Sequence, residues 1–330
     1  MRGSRLTGLG HYLPDRVVSN AALSERMDTT DEWIFKRTGI RERRWVVGNV
    51  GPTDLAVHAA KQALEEAKLK STDLDMIIFA TLSPDINFPG SSCLLQQRLE
   101  CPGIATLDIR NQCTGFVYGL AIADQFIRSG SMNHILVVGA EVHSSGLDIS
   151  TRGRDLAVLF GDGAGAAVVS DTEGENRVID SRLHADGSLH DTLMLEAPAS
   201  ALNPRITPAM LEEGRHYPKM RGRSVFKNAV DRIPEVVQEI LNANNLSLDD
   251  VKLIVPHQAN LRINELVCRK LGIPLDRMMH NIERYGNTTA ASIPIALHEA
   301  VLAGRLARGD YLLLVAFGAG LTWGANLIKW

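Results

Sequence analysis

Between residues 55 and 81 a helix-period segment passes through an LD linker into a strand-length apolar run (…STDLDMIIFAT). The same order returns at 228–256 (…LSLDDVKLIVP), about 175 positions later. Past each strand the pattern continues alike. The first copy gives LDIRNQC at 107–113, a small-residue helix and then HILVVGAEV; the second gives HNIERYGN at 280–287, another such helix and then YLLLVAFGAG. Two copies at domain scale imply duplication of an α/β unit, since a solenoid needs more repeats. We expect halves at 1–175 and 176–330, with Cys113 and Asn287 at nearly corresponding helix starts brought to one central interface.

The remaining elements fit that frame. Residues 75–81, 134–139, 156–160, 166–170, 251–255 and 311–317 have the length and apolar content of buried strands. Residues 53–68 have helical spacing behind a Thr53 N-cap, and 225–241 repeat the pattern. Strands interleaved with helices predict a largely parallel sheet covered on its faces. FGDGAG at 160–165 lies between two strand-like runs and predicts a hairpin turn, because no helix follows it to hold a phosphate. The least regular stretch, 186–223, is rich in Pro, Gly and charge; a loop that long usually covers a site or moves.

With 330 residues, 45% apolar and 22% charged, the chain has material for a large core. A net charge of −3 gives no global basic field for nucleic acid or an anionic membrane. No apolar run approaches the length of a membrane span or signal peptide. The four cysteines form no CxxC pair or dense framework, which predicts a reducing, cytoplasmic setting with free thiols.

Cys113, in RNQCTGF, precedes a helix with Gly115, Gly119, Ala121 and Ala123. A thiol there feels the positive end of the helix dipole, which predicts a lowered pKa; a buried structural cysteine is the plainer reading. His257, in VPHQAN, ends a strand where α/β folds collect ligands, and the other histidines have no comparable setting. Asn287, in YGNTTAASIP, has a plain reading as a helix N-cap.

Taken together, TTDEWIFKRTGIRERRW, CTGFVYGL, FGDGAGAAVV, VPHQANLRI, GNTTAASIP and FGAGLTWGA resemble the β-ketoacyl-acyl carrier protein synthase III family over essentially the whole chain, in family order and spacing. The resemblance implies a thiolase-like fold, two duplicated α/β halves in an αβαβα layering, and a catalytic set of Cys113, His257 and Asn287. Asn in the third slot separates this group from elongating synthases, which use a second His, and from thiolases, which use a second Cys. It assigns an oxyanion hole to the backbone N–H groups of Cys113 and Ala319. Family members usually have Gly at the Ala319 position, and Ala there costs on the order of 1 kcal/mol if φ is positive.

The same resemblance places CoA against Trp33, Arg37 and Arg154 and bounds the acyl pocket with Phe88 across a homodimer interface. It directs an acidic carrier protein to Lys227, Arg262, Arg269 and Lys270. Each has a plainer reading as an exposed aromatic or a solvated charge. The implied reaction uses acyl-CoA and malonyl-acyl carrier protein as substrates, with no metal or redox cofactor because decarboxylation supplies the drive. Gln112 and Thr114 stand where small Ala is common, and 186–223 is longer than in compact members. Both departures lie near the expected acyl or CoA path and leave the starter open, including a specialised-metabolism relative with a longer or aromatic acyl group. A papain-like Cys–His–Asn protease is the competing class, but its CG[SA]C[WY] context is missing.

Overall fold

The computed structural model describes residues 2–330. Two sheets divide the chain. The first has the order Gly3–Tyr12, Gly163–Thr172, His134–Glu141, Met76–Ala80, Ala105–Ile109; the second runs Val178–Ala185, Thr322–Lys329, Tyr311–Gly318, Val251–Pro256. From the Gly3 and Val178 edges, each pairs antiparallel, antiparallel, then parallel. A parallel bridge between Ile254 and Met278 occupies the place in the second sheet that Ala105–Ile109 holds in the first.

The sheets are therefore mixed, against the expectation of a largely parallel arrangement. The physical reason is connection length: Gly318 pairs with Thr322 across a short turn, and so tight a turn can join only antiparallel strands.

Helices Gly115–Arg128 and Ser292–Leu302 lie between the sheets. Pro52–Ala67 covers the outer face of the first, while Gly222–Ala243 and Leu261–Leu271 cover the second. This is the expected αβαβα layering. Phe116, Leu120 and Ile127 of the inner helix are fully buried, each contributing about 1.5–3 kcal/mol. Among the described residues no helix is long and apolar enough to cross a membrane.

Three local expectations change. Residues 156–160 form no strand: Arg154–Ala157 is a short helix, and Leu156 to Phe160 pack in a separate cluster with Ile34, Trp45 and Ile282. A short run buried on all sides has the same composition in either conformation. FGDGAG is not a hairpin turn, because its last glycines begin the strand Gly163–Thr172. There a Cβ on Gly165 would lie 2.7 Å from Pro294 Cγ. The helix N-cap is Gly51, whose N–H donates to Asp54 Oδ2 at 2.8 Å, while the Thr53 hydroxyl turns inward to donate to Asp85.

The contact that matters for the site is crossed. His134–Glu141 packs on the turn Thr289–Ala291, and Tyr311–Gly318 packs on the turn Gln112–Thr114. A Cβ on Gly139 would lie 2.2 Å from the Ala290 carbonyl oxygen, and one on Gly318 would lie 2.5 Å from Cys113 Cβ. Gly139→Ala should therefore cost about 1–3 kcal/mol by overpacking. Denaturant unfolding checks this; an unchanged midpoint would show that the contact yields freely.

Candidate active site

Each inter-sheet helix is preceded by a short 3-10 turn entered through a residue in the left-handed region, Gln112 at φ 43° and Thr289 at φ 48°. Neither is Gly, and such positions cost on the order of 1–3 kcal/mol unless the surroundings hold them. Aligned on these residues, Cys113 corresponds to Ala290. Asn287 lies three residues earlier than a strict correspondence requires, and it caps no helix.

Cys113 is buried, as are His257 and Asn287, and the three line one cavity of about 90 Å³. The cavity continues along Leu193, Met220, Phe226, Ile263 and Phe317. The 186–223 segment thus supplies part of its wall. Leu193–Met194 pairs with Lys219–Met220, and Arg215 bridges to Glu196 to brace the segment.

The backbone N–H groups of Cys113 and Ala319 lie near enough to the Cys113 sulfur to favour its thiolate form. Ala319 lies outside the positive-φ residues, so Ala is accommodated there without the conformational cost considered above. The Thr114 hydroxyl donates to the Asn111 carbonyl at 2.8 Å and lies 2.8 Å from Thr322 Oγ1; Thr322 Oγ1 in turn donates to the Ala319 carbonyl at 3.1 Å. Thr114 is fully buried, so it ties the cysteine turn to the Ala319 loop and does not line a substrate path.

The expected depression of the cysteine pKa does not occur. Burial, followed by the nearby Glu141 carboxyl, pushes the Cys113 thiol up to about 12, outweighing the two N–H donors. Burial pushes Glu141 itself up to about 7, although Ser83, Thr81 and Leu82 donate to it.

His257 donates its backbone N–H to the Val315 carbonyl at 2.8 Å, which sets the ring at the end of its strand. Nδ1 lies 2.7 Å from Ser292 Oγ, whereas Nε2 is buried without a partner. Burial, with His143 nearby, lowers its pKa to about 3, so the ring is neutral near pH 7. Asn287 is clamped through its backbone to Leu159 and Gly161, at 2.8 and 3.0 Å. Its Oδ1 accepts from the Thr289 N–H at 2.9 Å, leaving Nδ2 without a partner among the described residues.

His143 has a setting comparable to His257, contrary to the sequence expectation: it stands just beyond the strand His134–Glu141, fully enclosed. The signal was present, since GAEVH follows an apolar run as VPH does, but the two intervening residues obscured it. Ser292, in AASIP, carried no distinguishing mark.

Away from the cavity, the Trp33 ring carries two guanidinium groups, with Arg37 and Arg154 Cζ 4.2 and 4.9 Å from the indole centroid. Phe88 is 83% exposed. Lys227 and Arg269 are exposed and free of ion pairs among the described residues, on adjoining helices. Arg262 is committed elsewhere: Nε and Nη2 donate to the Lys36 and Phe35 carbonyls at 2.9 and 3.0 Å, and Nη1 pairs with Glu265. Lys270 pairs with Asp231 at 2.6 Å.

A duplicated, five-layered α/β fold with a Cys, a neutral His and an Asn at the crossing of its halves defines a thiolase-fold condensing enzyme. Family models for 3-oxoacyl-[acyl-carrier-protein] synthase III match residues 107–187, and for its C-terminal part residues 241–330. The β-ketoacyl-[acyl-carrier-protein] synthase III of Aquifex aeolicus is 44% identical over 99% of this chain and 100% of its own. The crystal structure of the Aquifex enzyme superposes with a TM-score of 0.91, covering the same shares. The priming β-ketosynthase of the R1128 polyketide pathway, 33% identical, superposes at 0.91 over 98% of this chain and 95% of its own. The chain belongs to the β-ketoacyl-[acyl-carrier-protein] synthase III family and is an acyltransferase of the condensing type.

A thiol with so high a pKa is protonated throughout the neutral range. Iodoacetamide alkylation of Cys113 should therefore accelerate continuously from pH 7 to pH 10, followed by peptide mass analysis. A plateau already reached near pH 6 would instead mark a resting thiolate.

Proposed function

We propose that the protein performs the starter condensation of fatty-acid synthesis: acyl-CoA acylates Cys113, and malonyl-acyl carrier protein then yields 3-oxoacyl-carrier protein, CO2 and CoA. The observation that carries this reading is the cavity shared by Cys113, His257 and Asn287, with the backbone N–H groups of Cys113 and Ala319 beside the sulfur.

In the first half-reaction the Cys113 sulfur attacks the thioester carbonyl, and the oxyanion is received by the N–H groups of Cys113 and Ala319. The proton must leave the thiol. His257 Nε2 is the unpartnered acceptor in the same cavity, and it returns the proton to the departing CoA thiolate. This requires Nδ1–H to donate to Ser292 Oγ. In the second half-reaction Nε2 carries the proton, and the Ser292 hydroxyl donates to Nδ1. A hydroxyl serves both tautomers. Loss of CO2 leaves an enolate whose oxygen is met by His257 Nε2–H and Asn287 Nδ2–H. Its carbon attacks the acyl carbonyl, the C–S bond breaks, and the released Cys113 thiolate takes up a proton from solvent, because the original thiol proton has left with CoA. No metal or redox step enters this chemistry.

The CoA adenine inserts between Trp33 and the Arg154 guanidinium, both planar, with Arg37 alongside. Lys227 and Arg269 offer free charge to an acidic carrier protein. Arg262 and Lys270 belong to that face with their charges already engaged. Phe88 is exposed for contact with a second copy in a cytoplasmic homodimer. The halves 1–175 and 176–330 are copies of one ancestral unit, a reading supported by their matching strand order. The kinship to a polyketide priming synthase favours, as a second reading, a longer or aromatic acyl donor.

Incubation with a panel of acyl-CoAs, followed by intact-mass analysis, should add one acyl group to Cys113 and identify the donor. No addition from any donor, or full transfer by Cys113→Ser, would remove the nucleophile assignment. Asn287→Ala should still acylate but condense about 100–1,000-fold more slowly, because one of two oxyanion donors is lost. Equal loss of both half-reactions would contradict that division of labour.

A further inference from the structure

His143 takes no part in the chemistry above, yet it is enclosed against the residues that perform it. Its Nε2 lies 2.7 Å from Thr289 Oγ1. Its ring rests tilted on Phe160, with centroids 4.6 Å apart. Its backbone N–H donates to Asp162 Oδ1 at 2.7 Å, and Asp162 is held in turn by the Val46 and Ser144 N–H groups. Phe160 bridges to Asn287, whose main chain is clamped on both sides of that residue. Thr289, in the left-handed region despite its branched side chain, donates its N–H to Asn287 Oδ1.

These contacts form a closed unit. An amide side chain can rotate and present oxygen or nitrogen to the cavity; the Thr289 N–H selects the orientation with Oδ1 turned inward. That selection depends on Thr289 keeping a conformation that a β-branched residue avoids. The only side chain bonded to its hydroxyl among the described residues is His143. We infer that His143 is a positioning residue for the condensing half-reaction, holding Thr289 so that the Asn287 amide presents Nδ2 to the reacting thioester.

This rests on the reading that Asn287 serves the second half-reaction and not the first. Removing the His143 contact should consequently leave acylation of Cys113 almost untouched while slowing condensation. In His143→Leu, acylation by the preferred acyl-CoA should stay within about twofold of the parent. Single-turnover condensation of the acylated enzyme with malonyl-carrier protein should fall about 10- to 100-fold. His143→Gln, whose terminal amide reaches the place of Nε2, should recover most of that loss. Thr289→Val removes the hydroxyl and keeps the shape. If His143 acts through Thr289, the double variant His143→Leu/Thr289→Val should be no slower than the slower single variant.

Condensation at the parent rate in His143→Leu would overturn the inference. So would parallel loss of both half-reactions with a lowered melting temperature and no recovery by Gln, or strictly multiplicative losses in the double variant. Failure of the parent enzyme to acylate Cys113 at all would overturn the proposed reaction, an outcome read separately in the same mass spectrum.

Discussion

The site depends on a crossed approach of backbone to backbone at the centre of the molecule. The central strand His134–Glu141 supports Thr289–Ala291, and the central strand Tyr311–Gly318 supports Gln112–Thr114. Each contact passes through a glycine because any Cβ would penetrate its neighbour. Neither half can therefore present its turn without the other. Interiors are packed too densely for such a contact to adjust continuously, so the positions of Cys113 and Asn287 follow from how the sheets meet. The strained residues Gln112 and Thr289 sit at these two places, where surrounding structure can hold conformations an isolated turn would abandon.

Burial then decides the electrostatics. It pushes Cys113 up to about 12 and His257 and His143 down to about 3, so thiol and imidazoles rest uncharged. A resting thiolate–imidazolium pair would require desolvating two charges, which the enclosed cavity disfavours. In the proposed reaction this neutral arrangement would offer donors to developing negative charge: the N–H groups of Cys113 and Ala319, and Nε2 and Nδ2 across the cavity. Such dipoles need little reorientation during reaction, which is the condition under which they stabilise a transition state strongly. Ser292 completes the device, since one hydroxyl can support either tautomer of His257.

Much of this was legible in the residues. The repeated helix–linker–strand pattern located the duplication, and VPHQAN and GNTTAASIP marked His257 and Asn287 by position relative to strands. What escaped were properties that depend on contacts distant in sequence. The 156–160 run is apolar because Trp45 and Ile282 enclose it, and no local pattern separates that from a strand. The cysteine pKa is not legible locally, because helix position is a local property whereas burial is collective. Thr114 reads locally as a residue near the substrate path, but its hydroxyl meets Thr322, far along the chain. His143 carries no clear local mark because its neighbours Phe160, Asp162 and Thr289 come from two other segments.

The same distinction explains why reaction class emerges from this chain more readily than acyl preference. Class follows from chemistry at the two crossed turns, whose residues must be a nucleophile and hydrogen-bond donors of fixed kind. Preference follows from volume, and the cavity wall is drawn from Leu193 and Met220 in the irregular 186–223 segment, together with Phe226, Ile263 and Phe317 from the second half. Apolar side chains of similar size can exchange in such a wall at little cost to the fold, so their identities carry weak local constraint. One methylene in an apolar pocket shifts discrimination by only about 1–3 kcal/mol. Exchanges at Leu193 and Met220 in the paired segments Leu193–Met194 and Lys219–Met220 would therefore alter the volume beside Cys113, while the crossed turns and their glycines stay as they are.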